Sequence, residues 1–216
     1  MRTISLDQAV EMIPHGASLL VGGFMGVGTP ERVMDEIVRQ GKRDLTVIAN
    51  DTATPGVGIG KLVQAKLLQK VIASHIGLNP ETQKQMMSGH LEVELVPQGT
   101  LIERIRAGGY GLGGVLTPTG VGTVVEKDKQ QIEVDGKCYL VETALRADFA
   151  LVHAFLADYM GNLSYALTAR NFNPVIAMAG TTVIANAENI VPVGVIPPDA
   201  VRTPGVLVTH LLERAY

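Results

Sequence analysis

The chain has 216 residues, of which 46% are hydrophobic and 18% charged, with a formal net charge of −3 and a single cysteine, Cys138. That length can bury a sizeable core, and one domain is expected across 1–216. The composition excludes an internal disulfide, a multi-cysteine metal site, a membrane span of roughly 18 or more apolar residues and a basic nucleic-acid surface. Met1-Arg2-Thr3-Ile4-Ser5-Leu6-Asp7 lacks the apolar core of a signal peptide, so the expected location is cytoplasmic.

Leu19–Val21 reads as a buried strand. It ends in Gly22-Gly23-Phe24-Met25-Gly26-Val27-Gly28, and Thr29-Pro30-Glu31 then predicts a helix over Pro30–Arg39 with Thr29 as its N-cap and Gly41 as its stop. Strand Leu45–Ile48 leads to Asn50-Asp51-Thr52, a loop spaced by Gly56, Gly58 and Gly60, and a short helix through Leu68. Strand Val71–His75 is followed by Gly77-Leu78-Asn79, where Asn79 caps a helix over Glu81–Met87. Strand Glu92–Val96 precedes Pro97-Gln98-Gly99, and Thr100 with Glu103 reads as a capping box for the next helix. This alternation predicts an α/β fold, an open, mostly parallel, doubly wound sheet.

From about 108 to 142 the pattern becomes a β-rich insertion, a small β-hairpin and mixed-strand appendage. The glycines crowded between Gly108 and Gly114 argue against a helix there. Thr123–Glu126 and Gln131–Leu140 read as strands, the second folded at Asp135-Gly136 into a hairpin, with Cys138 packed on it. Phe149–His153 resumes the parallel pattern, Asp158–Leu163 reads as a turn, and Asn171-Phe172-Asn173-Pro174 enters a helix. Strands near Thr182–Ala185 and Val206–Val208 follow.

Ligands of open α/β sheets gather at the carboxyl ends of the strands. Four such ends here carry the Gly22–Gly28 loop, Asn50-Asp51-Thr52, Gly77-Leu78-Asn79 and Pro97-Gln98-Gly99. Glycines let a ligand approach the main chain, and the helix start after Thr29 favours an anion such as a phosphate or carboxylate. Neutral amides at strand ends donate to a carbonyl oxygen or oxyanion without acting as bases. Such a site accepts an acyl group or carboxylate but holds no obvious nucleophile. There is no Gly-x-Ser-x-Gly elbow and no clustered His or Cys metal pattern. Gly56-Val57-Gly58-Ile59-Gly60-Lys61 is followed by Leu62 and fails the phosphate-loop pattern; the loop from Gly23 does not spell the dinucleotide fingerprint either. His75 reads as a core or rim histidine, Met86-Met87 as facing the core or a subunit contact, and Glu31 and Glu103 as first-turn acids. Arg170 and Asn173 fit either a helix cap or a substrate contact.

Val21-Gly22-Gly23-Phe24, three further residues and Gly28-Thr29-Pro30 resemble the first signature of the family I coenzyme A transferases. The likeness extends through Asn50-Asp51-Thr52, Pro97-Gln98-Gly99-Thr100-Leu101, Glu103 to Gly109, and Ala169-Arg170-Asn171-Phe172-Asn173. It covers essentially the whole chain, as the alpha subunit of the short-chain enzymes acting on acetate, butyrate and acetoacetate. His15 departs from the signature, which carries an acid or amide there.

The resemblance implies a partner beta subunit whose Ser-Glu-Asn-Gly motif supplies a catalytic glutamate, in an α2β2 assembly. This chain lacks that motif; Ala187-Glu188-Asn189-Ile190 is its nearest string. The implied reaction is a ping-pong CoA transfer from a short-chain acyl-CoA to a carboxylate, through a glutamyl-CoA thioester on the partner. Coenzyme A is then a substrate, with no permanently bound cofactor and no metal. Asn50 and Gln98 are the implied polar stabilisers of the acyl group and catalytic carboxylate. Gly22, Gly23, Phe24, Met25, Gly26, Val27 and Gly28 are the implied CoA or acyl-binding segment, with Phe24 and Met25 as an apolar wall. Within the same class stands a succinyl-CoA:3-oxoacid enzyme. Outside it stand a non-catalytic ligand-binding protein on the same scaffold and a sugar-phosphate isomerase, which would carry its own acid–base carboxylate.

Overall fold

The computed structural model describes residues 2–213. Strand β1 (Arg2–Ile4) and helix α1 (Leu6–Glu11) open it, the helix closed by a Ser5–Gln8 capping box that the hydrophobic pattern does not reveal. Then β2 (Ser18–Val21), α2 (Glu31–Gln40), β3 (Leu45–Asp51), α3 (Ile59–Gln64), β4 (Leu68–His75), α4 (Pro80–Met87), β5 (Glu92–Leu95) and α5 (Gln98–Gly109) follow the expected alternation. The appendage is an antiparallel sheet of β6 (Gly114–Thr117), β7 (Gln131–Val134) and β8 (Lys137–Thr143). The main sheet resumes with β9 (Ala147–Asp158), β10 (Leu163–Ser164), α6 (Asn173–Ala179), β11 (Gly180–Val191) and β12 (His210–Leu212).

Among the described residues the main sheet runs β1-β12-β11-β9-β2-β3-β4-β5, every neighbouring pair parallel, with the short β10 antiparallel on β9. From β2 the chain winds outward to β5, then returns to place β9 on the other side of β2. The winding direction therefore reverses between β2 and β9, where open sheets bind ligands. Alternation along each strand sends Leu19, Val21, Val47 and Leu151 to one core with α1, α2 and α3, and Leu20, Ile48, Ala150 and Val152 to the other with α5 and α6. Burial on both faces explains why these strands are apolar at nearly every position.

Local signals fail where tertiary packing overrides them. Thr29 is not a helix cap: Pro30 occupies that position and the Thr29 hydroxyl donates to the Gly22 carbonyl at 3.0 Å. Leu68 belongs to β4, not to the preceding helix. Thr100 forms no capping box; α5 already begins at Gln98, leaving Thr100 buried and Glu103 well inside the helix. That helix also runs through Gly108 and Gly109, because a Cβ at either would strike the Leu145 carbonyl or Met178. The segments 123–126 and 206–208 are not strands; single 3-10 turns cover Val124–Glu126 and Gly205–Leu207. The appendage's third strand is β6, and the last main-sheet strand is β12. The Asp135-Gly136 hairpin is as expected, both residues at positive φ (50° and 71°). Cys138 on it faces solvent rather than packing, and Met86 and Met87 are likewise exposed.

Where β2 ends, a buried amide takes its place. Gly22 N–H donates to Leu151 O at 3.1 Å, the last rung before the two strands part. Beyond it, Asn173 at the start of α6 inserts its side chain: Oδ1 accepts the His153 N–H of β9 at 2.9 Å, and Nδ2 donates to Gly28 O and Ala169 O, each at 2.9 Å. Asn173 is fully buried, and a Cβ on Gly22 would lie 1.9 Å from its Oδ1. At the opposite end of the same strand pair, Asp148 Oδ2 accepts from the Ser18 hydroxyl at 2.6 Å and the Ser18 N–H at 2.8 Å. The hydroxyl first, then the N–H, holds the Asp148 carboxyl below its usual range.

Two outcomes follow for stability. Asn173→Ala leaves three backbone groups, one buried and two part-buried, without this partner and is expected to cost about 3 kcal/mol in chemical denaturation; a loss under about 1 kcal/mol contradicts the clamp. Because the Asp148 pKa is lower folded than unfolded, its contribution is complete above the ordinary value of 3.8 and is lost as pH falls through the folded value. Acid unfolding of Asp148→Asn should therefore show a shallower loss of stability below about pH 4 than the unaltered chain.

Candidate active site

The segment after β2 is a tight hairpin. Phe24 and Val27 exchange both backbone hydrogen bonds (3.0 and 2.9 Å), with Met25 and Gly26 at the turn, φ 52° and 87°. Two positive-φ centres make this the mirror-type turn that suits a right-twisted ribbon. Three side chains aim it. The Asp51 carboxylate at the end of β3 accepts the Met25 N–H at 3.0 Å. Asn171 accepts the Gly23 N–H at 3.0 Å and donates to Val27 O at 2.8 Å. Asn173 holds Gly28 as described.

Beside this hairpin lies a cleft of about 500 Å³ between the β3 end and the α5 and α6 starts. It gathers Phe24, Asn50, Gln98, Ile102, Arg106 and Phe172. Asn50 is 2% exposed at the end of β3. Its Oδ1 accepts from Gln98 Nε2 at 2.8 Å and lies 2.9 Å from the Ser74 hydroxyl, which also donates to the Asn50 carbonyl at 2.7 Å. The Gln98 donor on this oxygen, with the single Ser74 hydroxyl proton shared between Oδ1 and the backbone carbonyl, fixes the amide's orientation and leaves the Asn50 NH₂ without a hydrogen-bond partner among the described residues. Gln98 is exposed on the first turn of α5, its Oε1 also unpaired among them.

The structure thus brings Asn50, Gln98 and Phe24 together and divides the rest of the glycine segment. Gly22 and Gly23 are buried behind the hairpin, and Met25 and Val27 stand exposed at its tip. Gly26 and Gly28 line a second cleft of about 530 Å³ with Arg32, His153, Asn186 and Glu188. Most of the segment's N–H groups are used within the chain; only those of Gly26 and Gly28 lack a partner among the described residues. Glu31, in the first turn of α2, turns its carboxylate away to the start of α3: Oε1 accepts the Gly58 N–H at 2.8 Å, and its other oxygen pairs with Lys61 at 2.7 Å. Lys61 also pairs with Asp35, which accounts for the lysine of the near-miss phosphate loop.

Asn173 is a clamp and Arg170 is exposed. His75 is exposed at the β4 end, and His15 lies before β2 at the amino end of the strands, opposite the cleft, accepting the Arg43 N–H at 3.1 Å. The departure at His15 is therefore remote from the cleft. Sequence reasoning assigned no role to Asp51, Asn171 or Arg106; their types were visible but their partners are 26, 148 and, for the cleft wall, several elements away. Chemically, the cleft offers neutral donors, an apolar wall and one guanidinium. None of its lining residues is a carboxylate or thiol.

The sequence model of the family described as Coenzyme A transferase matches residues 3–214. The chain is 52% identical over 211 residues to the acetate CoA-transferase subunit alpha of Escherichia coli K12, covering 98% of this chain and 96% of that protein. It is 48% identical over 212 residues to the acetoacetyl-CoA:acetate/butyrate CoA transferase alpha subunit of Clostridium acetobutylicum, covering 98% and 97%. A solved acyl-CoA transferase of E. coli O157:H7, captured as a thioester complex with CoA, superimposes with a TM-score of 0.87 at 24% identity. It covers 98% of this chain but 46% of that one, so the chain spans about half the length of that structure. A cleft of oriented amides at the carboxyl end of a doubly wound sheet, and a match along nearly every residue, lead to one statement: the chain belongs to the coenzyme A transferase family.

Proposed function

We propose that this chain is the alpha half of an acyl-CoA:carboxylate CoA-transferase acting on acetyl, butyryl and acetoacetyl groups in the cytoplasm. It works with a beta subunit carrying Ser-Glu-Asn-Gly, as α2β2. The observation that carries the reading is the cleft itself: a buried Asn50 whose NH₂ is held free, beside Gln98, with no carboxylate lining the space. The names of the two relatives, both alpha subunits of short-chain CoA-transferases, supply the substrate class.

In this reading the partner's glutamate attacks the acyl-CoA thioester, forming a mixed anhydride and releasing CoA thiolate. The thiolate then attacks the glutamyl carbonyl, leaving a glutamyl-CoA thioester and the free acid; a second carboxylate reverses both steps. One thioester is exchanged for another, so no external energy source is required. A carboxylate attacks a thioester poorly, and each tetrahedral intermediate carries charge on oxygen. In this reading the Asn50 NH₂ donates to that oxygen, and the contacts of its Oδ1 with Gln98 and Ser74 support an orientation held before reaction. Phe24, Ile102 and Phe172 wall the acyl chain.

Reconstitution with the beta subunit tests this. The isolated chain should show no transfer, and the mixture should exchange CoA between acetyl-CoA and butyrate or acetoacetate; transfer by the chain alone refutes the division of labour. Asn50→Ala in the reconstituted enzyme should lower kcat about 100-fold, the usual loss for one preorganised donor. Gln98→Ala releases the Asn50 amide and should lower kcat by a smaller factor, still above tenfold. Losses under twofold at both positions remove the assignment.

A further inference from the structure

The mechanism above leaves one group in the cleft unused. Arg106 lies two turns beyond Gln98 on the same face of α5, with Ile102 between them; all three line the cleft. At about 1.5 Å per residue the Gln98 and Arg106 backbones are about 12 Å apart, and helical side chains lean toward the N-terminus, so the guanidinium is carried back toward the amides. Arg106 is the one cation lining this space among the described residues. Its Nε faces both oxygens of Glu103 at 3.0 and 3.2 Å, while neither Nη makes a hydrogen bond among the described residues. Glu103 lines the adjoining cavity rather than this one.

The pairing decides what such a group recognises. A free guanidinium at the end of an apolar cleft takes a carboxylate, bidentately. Here Glu103 already occupies the Nε edge as a half-exposed pair, which weakens the pull on an anion without removing it and leaves the Nη donors directional. A second carboxylate would share the guanidinium with a nearby acid, whereas a neutral carbonyl oxygen gains a charged donor without that like-charge neighbour. Around it Phe24, Ile102, Phe172 and Val175 suit a short hydrocarbon chain.

We propose that Arg106 is a specificity residue that donates to the 3-oxo oxygen of a 3-oxoacyl group, distinguishing it from a saturated chain of equal length. This deepens the transferase reading and rests on it. Acetoacetyl-CoA and butyryl-CoA have the same four-carbon chain and differ at that carbon, so they isolate the interaction.

The experiment compares kcat/KM for these two donors and for succinyl-CoA, using the alpha–beta enzyme with unaltered chain, Arg106→Met and Arg106→Lys. Arg106→Met keeps an apolar stem in place and should lower kcat/KM for acetoacetyl-CoA about 10- to 100-fold while leaving butyryl-CoA within about threefold. Arg106→Lys keeps a donor but not the fork, and should fall between. Equal losses for both donors would make Arg106 structural and overturn the proposal, as would no loss for either. A loss confined to succinyl-CoA would replace the 3-oxo group by a carboxylate and overturn it too. If the unaltered alpha–beta enzyme transfers none of the three acyl groups, the transferase reading itself fails, a result separate from these.

Discussion

Two parallel strands cannot part inside a packed protein without stranding their hydrogen-bonding groups, and this constraint shapes the site. Beyond Leu151 the β9 backbone has no β2 beside it, yet α6 closes the gap to water. Asn173 resolves the conflict with one side chain: it takes the N–H that β2 abandons and returns donors to Gly28 and Ala169. An amide is suited to this because it accepts and donates at once without charge, and a buried charge there would need its own partner. The same contact explains Gly22, since any Cβ would displace the Asn173 oxygen. Once β2 is released, its continuation is free to become a hairpin standing over the cleft.

The cleft's neutrality has its own logic. In the proposed reaction, a carboxylate lining it would repel the incoming carboxylate nucleophile and the substrate acids alike. A bare lysine would bind them but also stabilise the resting anion and blunt its attack. Amides donate strongly only once charge develops, and they need no reorganisation when already oriented. The chain does place an acid nearby, Asp51, but commits it to backbone: its carboxylate accepts from Met25 and from Ala53 at 2.6 Å. Arg106 is the one charged side chain lining the cleft among the described residues, and its Nε is paired with the half-exposed Glu103.

Much of this was legible along the chain because strands buried on both faces are apolar runs, and their carboxyl ends announce themselves in Gly, Asn and Pro. Asn79 caps its helix and the Asp135-Gly136 hairpin forms as their local chemistry dictates. What failed to show was anything decided across the sheet. Thr29 and Thr100 have the right residues for helix caps, yet one hydroxyl is needed 7 residues back on Gly22 and the other falls within a helix already begun. Gly108 and Gly109 look like a break and are helix, since small residues were required by Leu145 and Met178. Asn50 and Gln98 could be named from the family likeness, but their mutual hydrogen bond joins positions 48 residues apart. Asn171 and Asn173 act across about 145 residues, a span over which spacing carries no signal.

The hairpin tip shows how tightly the geometry is specified. Its turn requires positive φ at both central residues; Gly26 meets this freely, whereas Met25 at φ 52° carries a penalty of order 1 kcal/mol. The Asp51 carboxylate, 5% exposed, offsets that by accepting the Met25 N–H, a charge-assisted bond worth about 1.5–3 kcal/mol. A glycine at this position would relieve the strain at once, so the fold alone gives no reason for a side chain there. Phe24, Met25 and Val27 are 43%, 45% and 51% exposed, and none belongs to either core. Strain held in place by a buried acid, to present apolar side chains outside the core, makes physical sense when those side chains meet something other than water. In the proposed reaction that is the acyl chain and the partner that delivers the nucleophile.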